Sequence, residues 1–168
     1  GYERMRIFGI DPGIAITGWG VVEPAPGSEN GLASLEYGVI ETPKGDDHSL
    51  RLVELRDDLE QLFDQFQPDH VAVEQLFFSK NAKTATAVGE ARGVVLLTAA
   101  QHAIPLTEFT PLQVKDAVCG YGKADKRQVQ QMVQSILQLP VLPSPDDAAD
   151  ALAVAICCAS AIELREKM

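Results

Sequence analysis

Histidine and cysteine are scarce in this chain of 168 residues, three of each, and neither type is grouped. His48, His70 and His102 are scattered, and Cys119, Cys157 and Cys158 lack metal-ligand spacing, which excludes a Cys/His zinc site. The odd cysteine count, with two of the three adjacent in an Ala-rich apolar run, also speaks against a disulfide framework; these thiols read as buried and inert. No window approaches the ~18 to 20 consecutive apolar residues of a membrane helix. Residues 1–6 have the wrong order of charge and apolar character for a signal peptide. The expectation is a soluble, cytoplasmic protein with no membrane partner. There is no serine-centred nucleophile elbow and no Gly-rich loop ending in Lys-Ser or Lys-Thr, so the usual marks of serine hydrolases and P-loop enzymes are missing.

Positive charge is also in short supply: 14 Lys and Arg face 24 Asp and Glu, a formal net charge of −10. Taken alone, that balance argues against nucleic acid, whose binding depends on Lys and Arg neutralising phosphates. The distribution qualifies it. Residues 76–131 hold seven basic side chains (Lys80, Lys83, Arg92, Lys115, Lys123, Lys126, Arg127) against four acidic ones, a local net of +3 that leaves −13 on the remainder. An acidic body with one basic stretch can still present a local track for a polyanion, and the same numbers describe an ordinary mixed-charge surface.

What is present is apolar sequence, 46% of the chain, enough for one domain around a continuous core. That domain is expected over residues 5–168, with residues 1–4 set aside as an expression remnant or N-terminal extension. Residues 5–11 form a short apolar strand ended by Asp11-Pro12-Gly13; residues 17–23 and 33–42 read as second and third strands, making an antiparallel meander. The Pro-, Gly- and Ser-rich stretch between them is a loop, with residues 27–31 its loosest part. Apolar positions from Leu50 to Phe66 recur at helical spacing, and Pro68 stops that helix. A strand over 70–78, a mostly buried helix over 82–102, a short strand over 105–109, helices over 112–118 and 125–139, and a long final helix from 146 to about 166 complete the pattern. The fold class is α/β: a mixed five-stranded sheet, three antiparallel strands leading into crossover units, flanked by helices.

Several carboxylates stand where charge is expensive. In Val71-Ala72-Val73-Glu74 the alternation places Glu74 on one face of a strand that helices should cover on both sides, so it needs a partner or a metal. Asp147 and Asp150 are three residues apart at the start of the last helix and share a face, about 5 to 6 Å apart at Cβ. A capping role explains Asp146 or Asp147 but explains Asp150 poorly, because it lies a turn inside the helix and is followed by an apolar run. Asp11 has an ordinary reading as a turn former beside Pro12-Gly13. Carboxylates from two strands and a helix suit hard divalent ions. Two such ions about 3.5 to 4 Å apart can position an attacking water and stabilise the leaving oxygen at phosphorus.

The segments carrying these acids resemble the RuvC family of Holliday-junction resolvases in content and order. They are Ile7-Phe8-Gly9-Ile10-Asp11-Pro12-Gly13 with Thr17-Gly18-Trp19-Gly20; Val73-Glu74-Gln75 with Phe77, Lys80-Asn81 and Ala91-Arg92-Gly93; Gln113-Val114-Lys115 with Lys126; and the ending from Asp147 through Asp150 to Ala153. The resemblance implies an RNase H-like fold and a homodimer that nicks two like-polarity strands of four-way junction DNA. It further implies Mg²⁺ or Mn²⁺, two ions per site, and partnership with the RuvA–RuvB branch-migration complex. It assigns Asp11, Glu74, Asp147 and Asp150 as catalytic metal ligands, the first and third on the family pattern alone, and leaves Asp146 unassigned. Phe77 matches an aromatic that stacks on an unpaired base, although Phe77 or Phe78 could equally be core. Lys80, Lys115, Lys126 and Arg127 are the expected DNA contacts. The acidic remainder departs from what a DNA-binding protein needs.

Two other functions share the core motif. Asp11-Pro12-Gly13 with Thr17-Gly18 also resembles the first phosphate loop of actin-like ATP-binding proteins, but the chain is too short for their second lobe and lacks their second phosphate loop. A nuclease of the same fold acting on structured RNA is the nearer alternative.

Overall fold

In the computed structural model, residues 1–75 and 82–168 are described. After a single 3-10 turn, Tyr2–Arg4, they form β1 (Ile7–Asp11), β2 (Ile16–Pro24), β3 (Leu32–Glu41), α1 (His48–Phe66), β4 (His70–Glu74), α2 (Ala82–Gln101), β5 (Leu106–Phe109), α3 (Pro111–Cys119), α4 (Lys126–Leu137) and α5 (Asp146–Glu166). The strands make one sheet in the order β3-β2-β1-β4-β5. β1 with β2 and β2 with β3 are antiparallel, whereas β1 with β4 and β4 with β5 are parallel. This is the expected meander followed by crossover units. β4 ends at Glu74, earlier than anticipated, with residues 76–78 of the expected strand outside the described residues.

Alternation along the strands divides the core in two. Phe8, Ile10, Trp19, Val21, Val71 and Val73 face α1 and α2, where Leu55, Leu59, Phe63, Ala91 and Val95 meet them. Ile7, Val22, Ala72 and Phe109 face α3, α4 and α5. Phe8 anchors the first layer, stacked on Trp19 at 5.8 Å and edge-on to Phe63 at 5.1 Å.

The second layer is closed by an unusually near approach. A Cβ on Gly9 would lie 2.0 Å from the Ala151 carbonyl oxygen and 2.9 Å from the Ala155 Cβ, and one on Gly18 would lie 1.9 Å from the Asp147 carbonyl oxygen. Those contacts are impossible for any side chain, so glycines on β1 and β2 let the alanine-rich face of α5 rest on the strand backbone itself. The first turn of α5 is thereby fixed beside the end of β1.

Two expectations are corrected. The helix over 82–102 is not mostly buried: α2 buries Ala91, Val95, Thr98 and Ala99, while Thr86, Glu90, Gly93, Leu97 and Ala100 face outward. It is an outer helix with one covered stripe and one stripe facing outward. The loop expected to be loosest over residues 27–31 is held at its ends by hydrogen bonds. Ala25 N donates to Gly31 O at 2.8 Å, and Asn30 Nδ2 donates to the Ser135 and Ile136 carbonyls near the end of α4.

Candidate active site

Parallel pairing of β1 and β4 matches Ile10 with Val73, so each strand ends one residue later on a carboxylate, Asp11 and Glu74. Strand parity turns both toward α5, since Ile7 and Ala72 lie in the α5-side core. Because Asp11 pairs with Gly18 and Gly18 is roofed by the Asp147 backbone, the first turn of α5 must sit over Asp11. Asp150 follows one turn into that helix. The four predicted acids therefore converge at one end of the sheet.

Their electrostatics reflect that convergence. Burial, then the charges of Asp150, Asp147 and Glu74, push the Asp11 carboxyl up to about 8 against a smaller pull from Lys126. Burial and Asp150 raise Glu74, opposed by Lys115 and Lys126. Burial raises Asp150, opposed by Lys126 and reinforced by Asp147 and Asp146. Half-buried carboxyls that resist ionisation together form a site that gains by taking a cation.

Lysines supply part of that compensation. Thr110 and Gln113 form a capping box that starts α3, which carries Lys115; Asp125 and Gln128 form another that starts α4 at Lys126. A cavity of about 260 Å³ is lined by Glu74, Lys115, Lys126 and Asp150 over an apolar floor of Val114, Val129 and Ala153. Lys126 Nζ lies 3.5 Å from Asp150 Oδ2. Arg127, next along α4, is exposed and lines neither this cavity nor its neighbour. Phe77 and Lys80 lie outside the described residues.

Sequence reading missed Arg92 as a site residue. It lines a second cavity of about 250 Å³ with Asp11, Glu74, Gln75 and Pro111, shares Glu74 as a wall with the first, and is ion-paired to Glu108 on β5. Its Nε is buried without a hydrogen-bond partner. An arginine amid the apolar residues of α2 was the available signal.

Among the described residues no three Asp, Glu, His or Cys side chains close around one point, so the acids are not a preformed all-protein cage. The all-oxygen donor set, in which Asp11, Glu74 and Asp150 are raised first by burial and then by neighbouring acids, fits a hard divalent ion. The cysteines take no part: burial, then Glu74, pushes the Cys157 thiol to about 11, and burial, then Cys157, pushes Cys158 to about 12.

The solved structures most informative for this geometry are two of RuvC from Thermus thermophilus. One, of the protein alone, has a TM-score of 0.88 at 35% identity, covering 96% of this chain and 97% of that one. The other, in complex with a Holliday junction substrate, has a TM-score of 0.89 at 35% identity, again covering 96% and 97%. A yeast mitochondrial Holliday junction resolvase shares the fold at 13% identity and a TM-score of 0.66. Fold and acidic site thus define a nuclease of the RNase H-like class.

Among curated relatives, a crossover junction endodeoxyribonuclease RuvC from Thermomicrobium roseum is 57% identical over 156 residues, 91% of both chains, and one from Caldicellulosiruptor saccharolyticus is 54% identical over 153 residues, also 91% of both. The model of the family "Crossover junction endodeoxyribonuclease RuvC" matches residues 7–158. The chain belongs to the RuvC family. Neither the actin-like nor the RNA-directed alternative is favoured by these similarities.

Proposed function

We propose that the protein is a structure-selective endonuclease that resolves four-way DNA junctions by symmetric, divalent-metal-dependent nicking of two like-polarity strands. The observation that carries this reading is the convergence of Asp11, Glu74, Asp147 and Asp150 at one sheet end beside Lys115 and Lys126. Asp11, Glu74, Asp147 and Asp150 would hold the metal, Mg²⁺ or Mn²⁺, two ions per site. Bound there, the metal would activate water and stabilise the leaving oxygen at phosphorus. Lys115 and Lys126 bring positive charge to the cavity wall and orient a backbone phosphate over the acids. Phe77 and Lys80 are proposed as DNA contacts on the family pattern, and Arg127 on its place in the basic stretch. A homodimer would present two such sites to the two strands, and work with RuvA–RuvB follows from family membership.

One assay tests the core of this. Asp11→Asn is expected to keep synthetic-junction binding in Ca²⁺ while Mg²⁺-dependent nicking falls by at least about a hundredfold, a loss of ~2.7 kcal/mol in transition-state stabilisation. In the same binding assay across salt, Lys115→Ala and Lys126→Ala should each flatten the salt slope by about one. Wild-type protein that binds but never nicks a junction would sink the catalytic reading, and unchanged slopes would remove the lysines from the phosphate path.

A further inference from the structure

Asp146 is the acid of the α5 first turn that the site does not explain. It does not cap α5, whose N-cap is Pro145 with no side-chain cap bond, and the helix dipole accounts for an acid in the first turn but not for the contacts this one makes. Its carboxylate is engaged elsewhere. Oδ1 accepts a 2.9 Å hydrogen bond from Gln130 Nε2, and Oδ2 lies 3.7 Å from Lys126 Nζ.

Lys126 and Gln130 are one turn apart on α4, so they share a face, and Asp146 and Asp150 are likewise one turn apart on α5. The two faces meet with Lys126 Nζ between the two carboxylates, at 3.7 and 3.5 Å. A lysine at the first position of a helix opposes the helix dipole, so its position needs another cause. Asp146 is not among the charges that raise Asp11, whereas Asp147 and Asp150 are. Its charge therefore reaches the acid cluster at Asp150, which it raises, and not at Asp11. Lys126 is exposed enough to move, with a side chain 59% accessible.

We infer that Asp146 is a positioning residue that, steadied by Gln130, holds Lys126 when a divalent ion takes Asp150, so that the ammonium steps aside without leaving the site. This rests on the proposed metal reading. Without the ion, Lys126 serves as the counter-charge of Asp150. With it, Lys126 rests on Asp146 and faces the incoming phosphate. Without Asp146, Lys126 is held only by acids of the proposed metal site, Asp150 first, and competes with the ion.

The test is a double-mutant cycle on Mn²⁺ affinity without DNA, read from the paramagnetic resonance of free Mn²⁺. Asp146→Asn should weaken Mn²⁺ binding about three- to fivefold, the size of a partly exposed ion pair. Lys126→Met should tighten it. In the Lys126→Met background Asp146→Asn should change affinity by less than about twofold, because there is no ammonium to park. Asp146→Glu should restore near-wild-type affinity. An equal loss from Asp146→Asn in both backgrounds would make Asp146 a plain surface charge and overturn the inference, as would no loss in either. Wild-type protein that binds no Mn²⁺ would instead overturn the metal reading, and this inference with it.

Discussion

Burial, then Asp150, Asp147 and Glu74, hold the Asp11 carboxyl at about 8 rather than its ordinary 3.8. Between those values the folded chain keeps a proton that the unfolded chain has released. The stability Asp11 contributes is therefore full below about pH 4 and is lost as pH rises through about 8. Asp11→Asn removes the titration. In EDTA the variant should melt above wild type, by a gap that grows from about pH 5 and levels off above about 8. Each kcal/mol of that gap corresponds to about 2 to 4 °C for a chain of this size. A gap independent of pH, or a variant less stable at pH 9, would show that Asp11 ionises freely. At this scale the sequence was uneven. Glu74 and Asp150 could be read from cost alone, one on a doubly covered strand and one inside an apolar helix. Asp11 and Asp147 had turn and cap alternatives that only the spatial meeting of β1 and α5 removes.

The elements themselves were largely legible, because periodicity is local: both capping boxes, Thr110 with Gln113 and Asp125 with Gln128, are visible as residue pairs three apart. The seating of α5 was not, since it depends on glycines of two strands meeting alanines of a helix far along the chain. That seat links packing to chemistry. Gly18→Ala would force a methyl into the Asp147 carbonyl, and the helix start must lift. Stability should fall by about 1 to 3 kcal/mol in chemical denaturation, with nicking lost disproportionately because Asp147 leaves Asp11. Gly9→Ala, seated under Ala151 and Ala155 further along α5, should cost comparable stability with a smaller effect on nicking per unit of stability lost. Equal ratios of activity to stability for the two variants would mean that the glycines only pack the core.

At the scale of the whole molecule, the net charge of −10 says little about the proposed DNA-binding site, because polyanion binding is decided by local charge and Lys115 and Lys126 both line the cavity beside Glu74 and Asp150. The outward stripe of α2 raises the remaining question. Thr86, Glu90, Gly93, Leu97 and Ala100 recur at helical spacing on its exposed face, with Leu97 53% accessible. Among the described residues a Cβ added to Gly93 meets nothing within 4 Å, and a mid-helix glycine carries a helix-propensity cost near 1 kcal/mol. Leu50 and Val53 are also exposed on the early turns of α1, whose His48 reaches Glu90 on α2 at 3.0 Å. A small-residue stripe that admits close approach suits a second copy of the same face related by a twofold axis. Wild-type protein should sediment as a dimer at micromolar concentration, and Leu97→Glu as a monomer that melts within a few degrees of wild type. That monomer should lose paired nicking of a junction before single nicks, because one site can reach one strand. A wild-type monomer at micromolar concentration would remove α2 as the contact and leave symmetric cleavage without a structural basis.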